Sequence, residues 1–249
     1  MSNSNDWNAD KYNKHADFVS NLAMPVVELL NPKKDEIILD LGCGDGTLAQ
    51  EISSLCKKII AVDLSSDMVE KTKKRGLEAY LMSATELDFD GAFDAVFSNA
   101  VLDWVKDAQS AIYKINHSLK QNGRFIAEFG GFGNIEYLIT AMKEVFIKHE
   151  EYGEFKNPWT FPSAIEYKRL LEEGGFKVEY IEIIPRPTSI DDIRNWLDIF
   201  ANGIVSHLTF EQQETFKEEV REILKPKIYS KKDGWVADYV RLRLKAIKI

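Results

Sequence analysis

The sequence predicts a doubly wound α/β domain, a mostly parallel sheet with helices on both faces, and three observations carry that prediction. The first is the stretch 36–46, EIILDLGCGDG. Its apolar run Ile37, Ile38, Leu39 and Leu41 has the length and β-branched content of a strand buried on both faces, and it ends in Gly42, Gly44 and Gly46. The second is another apolar run, Ile59 to Val62, ending in Asp63 at the spacing of about 20 residues that ribose-binding acids keep from such a loop. The third is alternation: five strand-like runs, at 37–41, 59–62, 79–82, 93–98 and 124–129, are separated by helical periods with caps and glycine stops.

At 249 residues, 45% hydrophobic and 29% charged, the chain can bury a sizeable core, with room for insertions or a small cap. No apolar run approaches the ~18 residues that span a membrane. The N-terminal stretch MSNSNDWNADKYNKH is polar and lacks the apolar centre of a signal peptide, so a cytoplasmic enzyme is expected. Two cysteines, Cys43 and Cys56, have neither metal-site spacing nor the density of a disulfide scaffold; both read as reduced thiols, and no metal is expected. A net charge of -8, from 32 basic and 40 acidic residues, repels polyanions and argues against nucleic acid as a partner. The densest basic cluster, Lys71, Lys73, Lys74 and Arg75, reads as the solvated C-terminal end of a helix.

In chain order, His15 to Leu30 has helical spacing interrupted by Pro25. The glycines at every second position suit a turn where backbone must approach a ligand closely. After them, Thr47 to Cys56 reads as a helix with Leu48, Ile52 and Leu55 on one face, its N-terminal N–H groups turned to the ligand. Ser65 and Ser66 cap a helix from Asp67 to Arg75, which Gly76 stops. Asp107 caps another that runs to Gln121, with Ile112, Ile115 and Leu119 inward and Gly123 as its stop. Farther on come a helix at 135–148, the capping box Ser163/Glu166 for 164–173, and an alternating strand at 176–184. Two amphipathic helices follow at about 191–201 and 210–224, the second boxed by Thr209 and Gln212, before the alternating strand that begins at Val240.

Which nucleotide does the loop take? The dinucleotide pattern G-x-G-x-x-G would need a glycine where Thr47 stands, which disfavours NAD-linked oxidoreduction. The pattern D-x-G-x-G-x-G from Asp40 to Gly46 instead resembles motif I of the class I S-adenosylmethionine (SAM) dependent methyltransferases. The run 98–105, S-N-A-V-L-D-W-V, resembles the segment after the fourth strand in the type 11 methyltransferases that include trans-aconitate and malonyl-acyl-carrier-protein methyltransferases. The resemblance covers residues 7–129 well and the remainder in outline.

It implies a Rossmann-like sheet of seven strands whose last strand runs antiparallel between the fifth and sixth. It also implies SAM as cofactor, with contacts at Tyr12, Asp40, Gly42, Gly44, Asp63, Leu64, Met68, Ser83, Ala84, Thr85 and Asn99. Many relatives carry an acid where this chain has Ser83, a departure that weakens the adenine contact. The segment W-N-A-D-K-Y at 7–12 resembles a flap over cofactor and acceptor. The expected organisation is a flap and helix at 1–30, a core at 31–185 with a helical excursion at about 131–162, a helical lid at 186–239 and the last strand at 240–249.

The expected reaction is methylation of a small molecule. Ala100 and Val101 exclude the N-P-P-Y-like turn of amino-methylating DNA enzymes. No evident base stands in the strand-end motifs, which favours a carboxylate, already nucleophilic at neutral pH. The candidates at the reacting end are Tyr12, His15, Asn99 and Arg186, with Arg194 behind Arg186 and an aromatic set of Phe132, Trp159, Phe161, Trp196 and Phe200 as acceptor wall or lid core. N- or C-methylation, including fatty-acyl modification, and a non-catalytic SAM-binding protein are the alternatives; monomer and homodimer both remain open.

Overall fold

The computed structural model describes residues 24–249. Its first helix, α1, covers 24–30 and carries Pro25 in the stretch; the segment 15–23, the flap and its Tyr12 and His15 lie outside the described residues. Five parallel strands follow the predicted order: β1 (Ile37–Leu41), β2 (Lys58–Asp63), β3 (Glu78–Leu81), β4 (Phe93–Asn99) and β5 (Leu119–Gly130). With β6 (Phe176–Pro185) and the last strand they form a seven-stranded sheet in which the last strand lies antiparallel between β5 and β6.

Helices cover both faces because the strands are apolar on both. α1 and α2 (Thr47–Ser53) bury Val26, Leu30, Ala49 and Ile52 against Ile38, Ala95, Phe97 and Ile126. On the opposite face, α4 (Ala108–Ser118) and α6 (Ala164–Glu173) pack Ile112, Ile115, Tyr167 and Leu171 on Leu39, Val96, Phe125 and Leu244. Between α2 and α4 in sequence lies α3 (Ser66–Lys74), whose Val69 packs with Ala61 and Ala79 and whose last turn carries Lys71, Lys73 and Lys74.

Two of the sheet's flanking helices end three residues short of expectation. α2 closes at Ser53, leaving Leu55 outside it and 42% exposed. α4 closes at Ser118, because Leu119 already pairs with Phe93 in the β4–β5 ladder and Asn122 turns with φ 61°. Leu119 points inward as expected, but from a strand.

The segment 186–239 is not purely helical. It holds α7 (Ile193–Phe200), the short α8 (Asn202–Val205) and α9 (Phe210–Ile228), and with them a three-stranded antiparallel sheet of β7 (Thr188–Ile190), β8 (Tyr229–Ser230) and β9 (Gly234–Ala237) in the order β7-β9-β8. Strands of two to four residues carry too little alternation to be read from sequence. Helix α5 (Glu136–Lys148) does not stay with the core: Leu138, Met142 and Phe146 share one hydrophobic cluster with Trp196, Leu197, Phe216, Val220 and Trp235. Excursion and insertion, each expected as a separate helical piece and the second as a lid, therefore share a single hydrophobic core, joined to the sheet by β6 and by the last strand, β10 (Val240–Lys248). No helix among the described residues is long and apolar enough to cross a membrane.

Both predicted capping boxes close, with Thr209 Oγ1 accepting from Gln212 N at 3.3 Å and Gln212 Oε1 accepting from Thr209 N at 2.9 Å. Thr209→Ala is expected to cost about 1 kcal/mol of stability. A urea midpoint unchanged in the variant would contradict the cap's contribution.

Candidate functional site

The three loop glycines all have positive φ, 77°, 55° and 79° at Gly42, Gly44 and Gly46, but they are glycine for different reasons. A Cβ on Gly42 would sit 2.1 Å from Val101 Cγ2, and one on Gly46 would sit 2.7 Å from Thr72 Oγ1. Protein packing therefore occupies those two positions, contrary to the expectation that all three clear space for a ligand. Of the three, only Gly44 has no atom of the described residues within 4 Å of where its side chain would stand. The loop is held from below: Thr72 Oγ1 donates to Gly44 O (2.9 Å), and Arg75 donates through Nε to Asp45 O (2.7 Å) and through Nη2 to Asp45 Oδ2 (2.8 Å). Thr47 also donates to Asp45, from N at 3.1 Å and Oγ1 at 2.9 Å, so it serves the loop's shape.

Asp63 reaches across from β2. Its Oδ2 accepts from Gly44 N at 2.9 Å and its Oδ1 from Ser65 N at 2.8 Å, and each oxygen retains acceptor capacity for a hydroxyl. Behind it, Asp40 is buried, and its Oδ2 has no hydrogen-bond partner among the described residues. Burial, then the neighbouring charge of Asp63, pushes the Asp40 carboxyl up to about 7; burial also raises Asp63. An orphaned carboxylate oxygen beside a second carboxylate is a place that a cation relieves.

At the ends of β2 and β3, Leu64 is 73% exposed while Met68 and Ala84 are buried. Ser83 Oγ and Thr85 Oγ1 are hydrogen-bonded to each other at 2.9 Å. Asn99 ends β4, and the next residue, Ala100, adopts φ 58° with its N–H donating to Glu128 O at 2.7 Å; a non-glycine residue held there is strained. Open backbone at Gly44, spare lone pairs on Asp63 and an unpaired buried acid make this end of the sheet a fit for SAM, with its ribose diol, ammonium and sulfonium.

Next to this end of the sheet lie the ends of β5 and β10. Arg186 directly follows β6, and its guanidinium closes bidentately on Glu128, at 2.6 and 2.9 Å, while Arg243 Nε binds the same carboxylate at 2.6 Å. Arg194 lies on the lid, paired with Glu214 and Glu218, away from Arg186. The cation that sequence reasoning passed over is Arg241, opposite Gly130 in the β5–β10 register, with its guanidinium 4.5 Å from the Tyr239 ring centroid and its Nη1 3.4 Å from Asn134 Oδ1. Its place in an alternating strand was legible; its proximity to the end of β4 depends on the antiparallel register.

The 3₁₀ turn Leu102–Trp104 sets Asp103 beside it, buried and with Oδ1 unpartnered among the described residues. Burial pushes the Asp103 carboxyl up to about 6 against the pull of Arg241 and of the Asp103 and Gly130 N–H groups. Of the aromatic set, Trp159, Phe161, Trp196 and Phe200 belong to the lid's core, whereas Phe132 is 68% exposed at the end of β5. The described histidines lie elsewhere: His117 near Asp90, His149 between Glu151 and Glu219, and His207 on Tyr152 O.

A seven-stranded sheet with its last strand reversed, a D-x-G-x-G-x-G turn and an acid ending β2 define a class I, SAM-dependent methyltransferase. Residues 39–127 match the methyltransferase domain model, and an uncharacterized methyltransferase of Schizosaccharomyces pombe is 36% identical over 97% of this chain and 98% of its own. The chain belongs to that methyltransferase family. The malonyl-[acyl-carrier protein] O-methyltransferase of Priestia megaterium is 33% identical over 67% of this chain and 64% of its own. In fold, the geranyl diphosphate C-methyltransferase of Streptomyces coelicolor, solved with S-adenosyl-L-homocysteine, is similar at a TM-score of 0.56, with 18% identity, over 92% of this chain and 77% of that one.

Proposed function

We propose that the enzyme transfers the methyl group to a carboxylate oxygen of a small molecule. The observation that carries this reading is the gathering of three arginines at the acceptor end, where Arg186 and Arg243 share Glu128 and Arg241 stands opposite Gly130 with Asp103 as its acidic neighbour. A field of that sign draws an anion, and a guanidinium fork suits a carboxylate. The O-methyltransferase relative from Priestia megaterium agrees with it.

On the donor side, Asp63 holds the ribose hydroxyls, Asp40 faces the methionine ammonium, and the Gly44 backbone lets the cofactor approach. Gly42 keeps the turn that makes this approach available. Leu64 and Met68 flank the adenine, Ser83, Ala84 and Thr85 line its edge, and Asn99 stands at the methionine end. SAM brings a methyl group on a sulfonium leaving group. A carboxylate is ionised at neutral pH, so the chain need not remove a proton from it. What remains is orientation, which is worth ~7 to 11 kcal/mol of barrier, and exclusion of water. Arg241 supplies orientation; the aromatic residues of the lid exclude water. The chain's net charge of -8 disfavours a nucleic-acid acceptor.

The reading is tested by incubating enzyme and deuteromethyl-SAM with a metabolite extract and following the label by mass spectrometry. The expected product loses its label to mild alkaline hydrolysis, as a methyl ester does. Label that survives hydrolysis, on nitrogen or carbon, sinks the carboxylate reading.

A further inference from the structure

The donor site and the gathered arginines leave Asp103 unused, although it is a buried carboxyl at the reacting end. Its Oδ1 has no hydrogen-bond partner among the described residues, and several donors nearby are turned elsewhere. Thr160 N donates to the backbone oxygen of Asp103 at 2.7 Å, not to its carboxyl. Trp196 Nε1 donates to the Tyr239 hydroxyl at 2.6 Å, and Asn134 Oδ1 accepts from Val240 N at 2.8 Å and from Arg241. The Gly130 and Asp103 N–H groups act on the carboxyl from the sheet side, where Phe161 and Asn134 pack directly against Gly130. A buried acceptor left in this state costs free energy until a donor reaches it.

We propose that Asp103 and Arg241 form one acceptor subsite, which binds a small acid carrying a hydroxyl or amino group beside its carboxylate. The carboxylate faces Arg241, whose guanidinium offers five donors and gives one of them to Asn134. The hydroxyl or ammonium group donates to Asp103 Oδ1. This deepens the carboxylate reading and rests on it for the role of Arg241. It adds what that reading lacks, a choice among acids: a site built to hydrogen-bond a hydroxyl rejects the analogue without one far more strongly than an apolar pocket rejects a missing methylene.

The test titrates protein saturated with S-adenosylhomocysteine with three four-carbon probes, succinate, 2-hydroxysuccinate and 2-aminosuccinate, by calorimetry. The expected result is tenfold or tighter binding of the hydroxy and amino acids over succinate. Asp103→Ala removes both preferences, bringing the three probes to equal affinity. Asp103→Asn, which keeps the acceptor oxygen and loses the charge, retains the preference for hydroxyl and loses the one for amine; it also decides the matter if the alanine variant fails to fold. Equal affinity of the unaltered protein for all three probes, or binding of none of them, overturns the proposal, as does a preference that survives Asp103→Ala. The two readings fail separately: label on nitrogen in the deuteromethyl experiment with the probe preference intact removes the ester chemistry and leaves the subsite standing.

Discussion

Replacing Asp63 by alanine is expected to weaken SAM binding by about 1 to 3 kcal/mol, a rise in Kd of about 5- to 150-fold. Two effects combine in that loss. The carboxylate no longer meets the ribose hydroxyls, and the N–H groups of Gly44 and Ser65, now bound at 2.9 and 2.8 Å, lose their acceptor. The second effect loosens the one glycine of the three with no described atom within 4 Å of where its side chain would stand, so it lowers affinity without any contact to the ligand. Adenosine and its 2′,3′-dideoxy analogue separate the two. If Asp63 binds the hydroxyls, the variant loses more affinity for adenosine than for the dideoxy compound, whose loss reports the loop; equal losses for both assign the whole effect to the loop. An unchanged Kd for SAM would refute both roles.

The half of the chain that repeats one unit was the half that could be read. Strands β1, β2, β4 and β5 bury apolar residues on both faces, β1 runs straight into glycine and β2 into the capping Ser65, so Asp40, Gly44 and Asp63 fall at strand ends by sequence position alone. Asp103 and Arg241 could not be found that way. They stand 138 residues apart (241 minus 103) and meet because β10 inserts beside β5 in one register, Arg241 against Gly130. Arg186 shows the opposite failure. Its place at the exit of β6 was legible, but its commitment to Glu128 was not, since a lone acid in an apolar strand gives no sign of which cations will cross the sheet to it. The lid's small sheet was lost for want of length, and its shared core for want of any local signal that α5 would leave the sheet for α9.

Asp40 is expected to make both stability and SAM affinity depend on pH, with opposite signs. Its carboxyl is pushed from an ordinary value of 3.8 to about 7 in the folded protein. Between about pH 4 and pH 7 the unfolded chain has released this proton and the folded one has not, so the folded state binds more protons and stability falls as pH rises. About three units at 1.36 kcal/mol each bring the loss to an order of 4 kcal/mol, complete above pH 7. Asp40→Asn carries no such proton, so urea denaturation should show the stability difference between variant and parent changing in the variant's favour from pH 4 to 7 and then holding level. For the ligand the sign reverses. A cation facing Asp40 binds the ionised form, so SAM affinity in the parent should climb as pH rises through about 7, and this component should vanish in Asp40→Asn. The methionine ammonium of SAM titrates in a neighbouring range, which is why the variant is the needed control: it removes the protein's proton and leaves the ligand's. Parallel pH profiles of SAM affinity for parent and variant would show that Asp40 does not face the cofactor's charge.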